Sequence, residues 1–175
     1  MGVSSQQRGL PFAVIDNTLL TRLVELEIAE FLPWVFKQIL IPPEVKREAY
    51  KAPHKGKRRL QKLVREMAGF FVDCYEADEG VKEILKTDFG RGEAAAIAQA
   101  SHTNSILLID EKAGYKRAET MQIRVLRTTE LINKLKVEVE VIDSVKPYYD
   151  RLEETGFYLG SSIRKQLLAD VGEGE

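Results

Sequence analysis

Phe12-Ala13-Val14-Ile15-Asp16 near the start of the chain and Ile106-Leu107-Leu108-Ile109-Asp110 much later follow one pattern, an apolar run closed by an acid. An uninterrupted apolar run of strand length offers no polar face to water. It therefore reads as a strand buried on both sides, the kind that parallel α/β sheets contain. An acid directly behind such a strand stands at its carboxyl end, where open α/β proteins place their ligands. Two acids so placed predict one shared site, and a metal in it.

Working outward, helical and strand patterns alternate. Leu19, Leu20, Leu23 and Val24 recur at helical spacing, with Asn17 or Thr18 as the expected N-cap. Pro33 is expected to open a short helix carrying Trp34 and Phe36, and Gln38-Ile39-Leu40-Ile41 reads as a second strand. Helices are expected over 44–50 and 57–67, a short strand within 70–75 and a helix over 77–86. Glu93-Ala94-Ala95-Ala96-Ile97-Ala98 opens a strong helix whose small residues allow close packing on a sheet. A helix over 111–121 and a strand at 123–126 follow, then a helix through Leu135 capped by Thr128 or Thr129. The alternation of Val and Glu over 137–142 fits a strand or sheet edge. Helices near 145–154, stopped by Gly156, and 162–170 complete the pattern. Strands alternating with helices predict an α/β fold: a central parallel sheet flanked by helices in three layers. Residues 1–10 read as a flexible terminus and 11–172 as a single domain.

Composition agrees. The 175 residues are 44% hydrophobic and 30% charged, the signature of a globular chain with a sizeable core. No stretch has the length of a membrane span or the layout of a signal peptide, and the one cysteine, Cys74, excludes an intrachain disulfide. A cytoplasmic, membrane-free protein is expected. One Cys and two His argue against a zinc centre. The net charge of −1 weighs against a strongly basic nucleic-acid binder. Between Lys51 and Arg65, however, seven Lys or Arg occur without an acid, which fits either a solvated surface or a patch that follows phosphates.

Chain direction gathers further acids. Helices in such a fold run antiparallel to the strands, so the helix leading into Ile106 begins at the edge that carries Asp16 and Asp110. That places Glu93, in its first turn, beside them. The helix after Ile41 also starts at that edge, with Glu48 about 7 Å along it. Glu111 adjoins Asp110. Each acid taken alone has a plain role as a cap, a helix-dipole partner or a solvated side chain. Together they would repel one another unless a hard divalent cation, which prefers oxygen ligands, lay among them.

At these residues the chain resembles the PIN-domain nucleases, in particular a prokaryotic branch related to the VapC-type toxins. The likeness is carried by Val14-Ile15-Asp16-Asn17-Thr18-Leu19-Leu20, Ile41-Pro42-Pro43-Glu44-Val45-Lys46-Arg47-Glu48, Gly90-Arg91-Gly92-Glu93-Ala94-Ala95-Ala96-Ile97 and Leu107-Leu108-Ile109-Asp110-Glu111. Leu152-Glu153-Glu154-Thr155-Gly156-Phe157 adds to it, and the whole spans 12–172. The resemblance implies a parallel α/β sheet with acids at its carboxyl edge, Mg²⁺ or Mn²⁺ as cofactor and hydrolysis of phosphodiester bonds in RNA. It also implies homodimers and, in many members, a toxin opposed by a small antitoxin. The family's acids match Asp16, Glu48, Glu93 and Asp110, and its hydroxyl matches Thr18. Glu93 stands where many VapC-type proteins have Asp, and Asp110 and Glu111 compete for the last position.

The expected activity is thus metal-dependent ribonuclease. Asp16, Glu93 and Asp110 hold the metal in this reading, Glu48 acts as ligand or base, and Thr18 and Glu111 support them. Lys112, Lys116 and Arg117 are candidates for substrate phosphates, though each singly also fits a solvated surface. Ordinary surface roles are expected for His54 and His102. The alternative is a non-catalytic PIN-fold module that binds nucleic acid or protein. A nucleotide-binding protein is disfavoured because no Gly-rich loop follows Ile15, and an Asp-x-Asp phosphotransferase because Thr18 replaces the second Asp.

Overall fold

A computed structural model describes residues 9–51 and 56–174. Most of the expected flexible terminus, together with His54 and Lys55, lies outside the described residues. The chain forms two compact units, Met1–Arg127 and Thr128–Glu175.

The first unit is built on strands β1 (Phe12–Ile15), β2 (Gln38–Ile41), β3 (Phe71–Asp73), β4 (Ile106–Leu108) and β5 (Val125–Leu126). Among the described residues these form one sheet in the order β3-β2-β1-β4-β5, with every pairing parallel. Helices α1 (Asn17–Glu25), α2 (Pro43–Lys51), α3 (Lys57–Glu66), α4 (Glu79–Leu85), α5 (Arg91–Thr103) and α6 (Lys112–Thr120) connect the strands, giving the three-layer α/β fold. Ala13, Val14 and Ile15 have no exposed surface, as a strand covered on both faces requires. Ala94 to Ala98 and Ala100 of α5 are equally buried; short side chains let this helix lie close to its neighbours. Asn104, in a left-handed conformation at φ 50°, ends α5 by donating its N–H to Ala100 O.

Three local expectations need correction. Asp16, not Asn17 or Thr18, caps α1: its backbone is still extended and its carboxylate accepts the Leu19 N–H at 2.8 Å. Pro33 does not open a helix but lies inside a 3₁₀ turn over Ala29–Trp34. The Val–Glu alternation over 137–142 does not form a strand. Helix α7 (Thr128–Val137) runs into it, and the Glu138 and Val139 N–H groups close onto Lys134 O. Val141 then bonds back to Leu135 O, with Glu140 at φ 57°, so the backbone groups a strand would pair are already used.

The second unit holds α7, α8 (Lys146–Glu154) and α9 (Ser161–Ala169). Gly156, at φ 86°, lets the chain leave α8 as expected. Asn133 ties the three helices together: it accepts from the Tyr149 hydroxyl and donates to Leu167 O. Glu173 accepts from Ser144 Oγ at 2.7 Å and from the Val145 N–H at 2.9 Å, and it pairs with Lys136. No helix among the described residues is long and apolar enough to cross a membrane.

Candidate functional site

The strand order reverses between β1, whose successors β2 and β3 extend the sheet one way, and β4, from which it grows the other way. Such a switch point opens a crevice at the carboxyl ends of the two central strands. Asp16 stands there, only 5% exposed, its N–H bonded to Leu108 O of β4 at 3.1 Å. Burial pushes its carboxyl up to about 7. The charges of Asp110 and Glu93 add to that rise, while the Leu19 and Thr18 backbone N–H groups oppose it.

The Asp110 side chain is also largely withdrawn from solvent and forms an ion pair with Arg22 of α1. Arg22 was not among the expected site residues. Its signal in the sequence is that it is the only cation in Asn17–Glu25, on a helix that starts at the acidic edge.

Glu93 sits in the first turn of α5, partly buried. Burial raises its pKa, and the charges of Glu111 and Glu48 raise it further. Its Oε1 is shielded from solvent and has no hydrogen-bond partner among the described residues. Gly114 of α6 makes the space: a Cβ there would strike this oxygen and the Ile109 side chain. Glu48 Oε1 accepts the Gly92 N–H at 2.8 Å, so Glu48 satisfies one of the open donors at the start of α5. A Cβ on residue 92 would collide with that carboxylate, which explains why glycine stands there.

The electrostatics thus link Asp16 to Asp110 and Glu93, and Glu93 to Glu48 and Glu111. Glu111 itself is exposed and precedes α6 without capping it through its side chain; Thr18 is exposed as well. In this arrangement no group of three or more His, Cys, Asp or Glu among the described residues lies close enough to hold a metal ion. Three of the four acids are otherwise engaged, Asp16 with the Leu19 N–H, Asp110 with Arg22 and Glu48 with the α5 backbone.

The basic residues divide similarly. Lys112 and Lys116 are exposed, whereas Arg117 is paired with Asp88 at 2.8 Å. In the basic segment Arg59 bridges Glu27 and Glu30, and Lys62 faces Glu66 at 3.8 Å. Exposed pairs of this kind contribute at most about 1 kcal/mol. A set not anticipated as a group is Arg47, Lys51 and Arg91, which line a recess of about 120 Å³ together with Glu44 and Glu48. His102 is exposed near the end of α5, in keeping with a surface role.

Compared with known proteins, residues 12–173 match a family model described as a PIN domain. A search of curated proteins gives no match.

Proposed function

The chain belongs to the PIN-domain family, and from that premise we propose that it is a metal-dependent ribonuclease whose centre is the acidic edge of the sheet. PIN domains are commonly nucleases and usually use divalent metal ions. The observation that carries the reading is the Glu93 carboxylate: its Oε1 is shielded and has no partner among the described residues, and its pKa is raised by burial and neighbouring acids. A fold tolerates an unsatisfied buried oxygen at a cost of about 1–3 kcal/mol, and functional sites are where such costs concentrate.

The donor set suits a hard cation, since the crevice offers carboxylate oxygens and little else. Asp16, Glu93 and Asp110 would hold Mg²⁺ or Mn²⁺. For all three to hold the ion, Asp110 would have to give up its ion pair with Arg22. When bound, such an ion acidifies its water and polarises the phosphodiester. Glu48 holds the start of α5, and so Glu93, in place, and Thr18 at the mouth of the crevice supports Asp16. Glu111 adds negative charge beside Glu93. Arg47, Lys51 and Arg91, with the exposed Lys112 and Lys116, are suited to the backbone phosphates on either side of the cleaved bond. A toxin role with a small antitoxin partner, homodimer formation and a cytoplasmic location complete the proposal, by likeness to the VapC-type branch.

The second reading, a non-catalytic PIN-fold module, is favoured by the Arg22–Asp110 pair, which already neutralises one acid. Mn²⁺ titration by calorimetry, alongside cleavage of single-stranded RNA, separates the two. Asp16→Asn keeps a good N-cap and is expected to melt no lower than wild type. It is also expected to lose Mn²⁺ affinity and cleavage by about a hundredfold or more, since even outer-shell changes at metal sites cost about 10–100-fold. Unchanged Mn²⁺ binding and cleavage in Asp16→Asn would leave the non-catalytic module as the better account.

A further inference from the structure

The first unit contains a second polar cavity beside the acidic edge, of about 240 Å³, between the start of α2, the chain after β3 and the middle of α5. Gln99 of α5 lines it. Gln99 is wholly buried, and neither its Oε1 nor its Nε2 has a partner among the described residues. One donor and one acceptor are thus held side by side and unanswered, in a helix otherwise packed with alanine. A single bridging water needs about 10–15 Å³ of such space, so the cavity is far larger than that role demands.

The charges around it indicate what it accepts. Lys82, 8% exposed, is bonded to Glu44 at 3.0 Å and to Glu79 at 2.6 Å. With Arg47, the lining carries two cations and two carboxylates. A balanced wall selects neither an anion nor a cation; it suits a neutral ligand with polar edges. Pro42, Pro43 and Ala95 supply apolar surface, and Tyr75, 73% exposed, presents a ring at the rim. A carboxamide pairs with the adjacent donor and acceptor on a nucleobase edge, and exposed aromatic rings stack on unpaired bases. Gln99 lies six residues from Glu93 on the same helix, about 9 Å by helical rise. Arg47 also lines the recess around Glu48, so the cavity adjoins the proposed path of the phosphates.

We propose that this cavity receives one unpaired nucleobase of the RNA strand, with the Gln99 carboxamide reading its edge and Tyr75 stacking on its face. The proposal rests on the nuclease reading and extends it: Gln99 is a specificity-determining residue about 9 Å along α5 from the proposed centre.

The test uses the ¹⁵N-labelled full chain without added metal, so that binding is read without cleavage. The four ribonucleosides, a single-stranded RNA trinucleotide and inorganic phosphate are titrated separately while the Gln99 side-chain amide resonances are followed. At least one nucleoside is expected to shift them saturably, the trinucleotide to bind about tenfold tighter, and phosphate to leave them in place. Gln99→Met keeps the volume and removes an unpaired buried amide, so it is expected to melt no lower than wild type. It should lose the nucleobase response, followed through backbone amides of α5. Tyr75→Ala, at an exposed position, should weaken binding about tenfold, in line with base–aromatic stacking. Absence of any nucleobase shift, binding unchanged in Gln99→Met, or a trinucleotide no tighter than a nucleoside overturns the proposal. Cleavage retained in Asp16→Asn while base binding is intact would fault the metal reading alone; base binding retained in Gln99→Met while Asp16→Asn loses cleavage would overturn this proposal alone.

Discussion

Glu93 and Glu173 are both carboxylates partly withdrawn from water, and burial pushes both pKa values upward, yet they finish on opposite sides of the ordinary value. For Glu173, the bonds from Lys136, Ser144 and the Val145 N–H outweigh burial and bring it down to about 2. Glu93 has no comparable donors among the described residues; its neighbours Glu111 and Glu48 carry charge of the same sign, and the shift stays upward. The difference separates a carboxylate that the fold uses from one that the fold merely accommodates. Glu173 holds its helical unit together. Glu93 is held at the sheet's edge by Gly114 and by the helix it starts, at a cost that folding alone does not repay.

The sharpest way to break this contrast is to remove each charge in turn. Glu93→Gln is expected to leave the melting temperature unchanged or raised, because it relieves repulsion among Glu93, Glu48 and Glu111. Mn²⁺ affinity in a calorimetric titration should fall about a hundredfold, as loss of a ligand exceeds the cost of an outer-shell change. Glu173→Gln should do the reverse: Mn²⁺ affinity unchanged, and stability in chemical denaturation lower by about 2 kcal/mol, the worth of hydrogen bonds to a charged group. A destabilised Glu93→Gln with intact metal binding would erase the distinction.

The pH dependence carries the same sign. The folded-state pKa of Glu173 lies below its unfolded value of 4.5, so its contribution is complete above about 4.5. That contribution drains away as the pH falls from there toward 2. Denaturation midpoints measured between pH 6 and pH 3 should therefore fall more steeply in wild type than in Glu173→Gln. The smallest effect concerns Arg22. Arg22→Met should raise Mn²⁺ affinity several-fold by removing the cation that competes for Asp110, and should lower the melting temperature because the largely buried Asp110 side chain loses its ion pair with Arg22. Weaker Mn²⁺ binding in this variant would show that Arg22 supports the centre rather than competing with it.

Much of this is legible in the amino-acid sequence. The apolar run Phe12–Ile15 and the run Gln38–Ile41, apolar after its first residue, marked β1 and β2 residue for residue, because the interior of a strand covered on both faces leaves no place for a polar side chain. The acids behind β1 and β4, and the rule that helices return antiparallel, indicated which ends of the chain segments meet. The Val–Glu stretch after Leu135 misled, because alternation describes one face of a strand but says nothing of a helix end that takes the same backbone groups for its own closure.

The sequence by itself determined the class of fold, the parallel direction of its strands and the edge on which Asp16, Glu93 and Asp110 stand, since these follow from local patterns and chain direction. Only the tertiary structure decided which acids are engaged and which are left open. Arg22 reaches Asp110 across 88 positions of sequence, Glu48 reaches Gly92 across 44, and Gln99 finds no partner at all among the described residues. Such pairings depend on side chains brought together by packing, and no spacing along the chain encodes them.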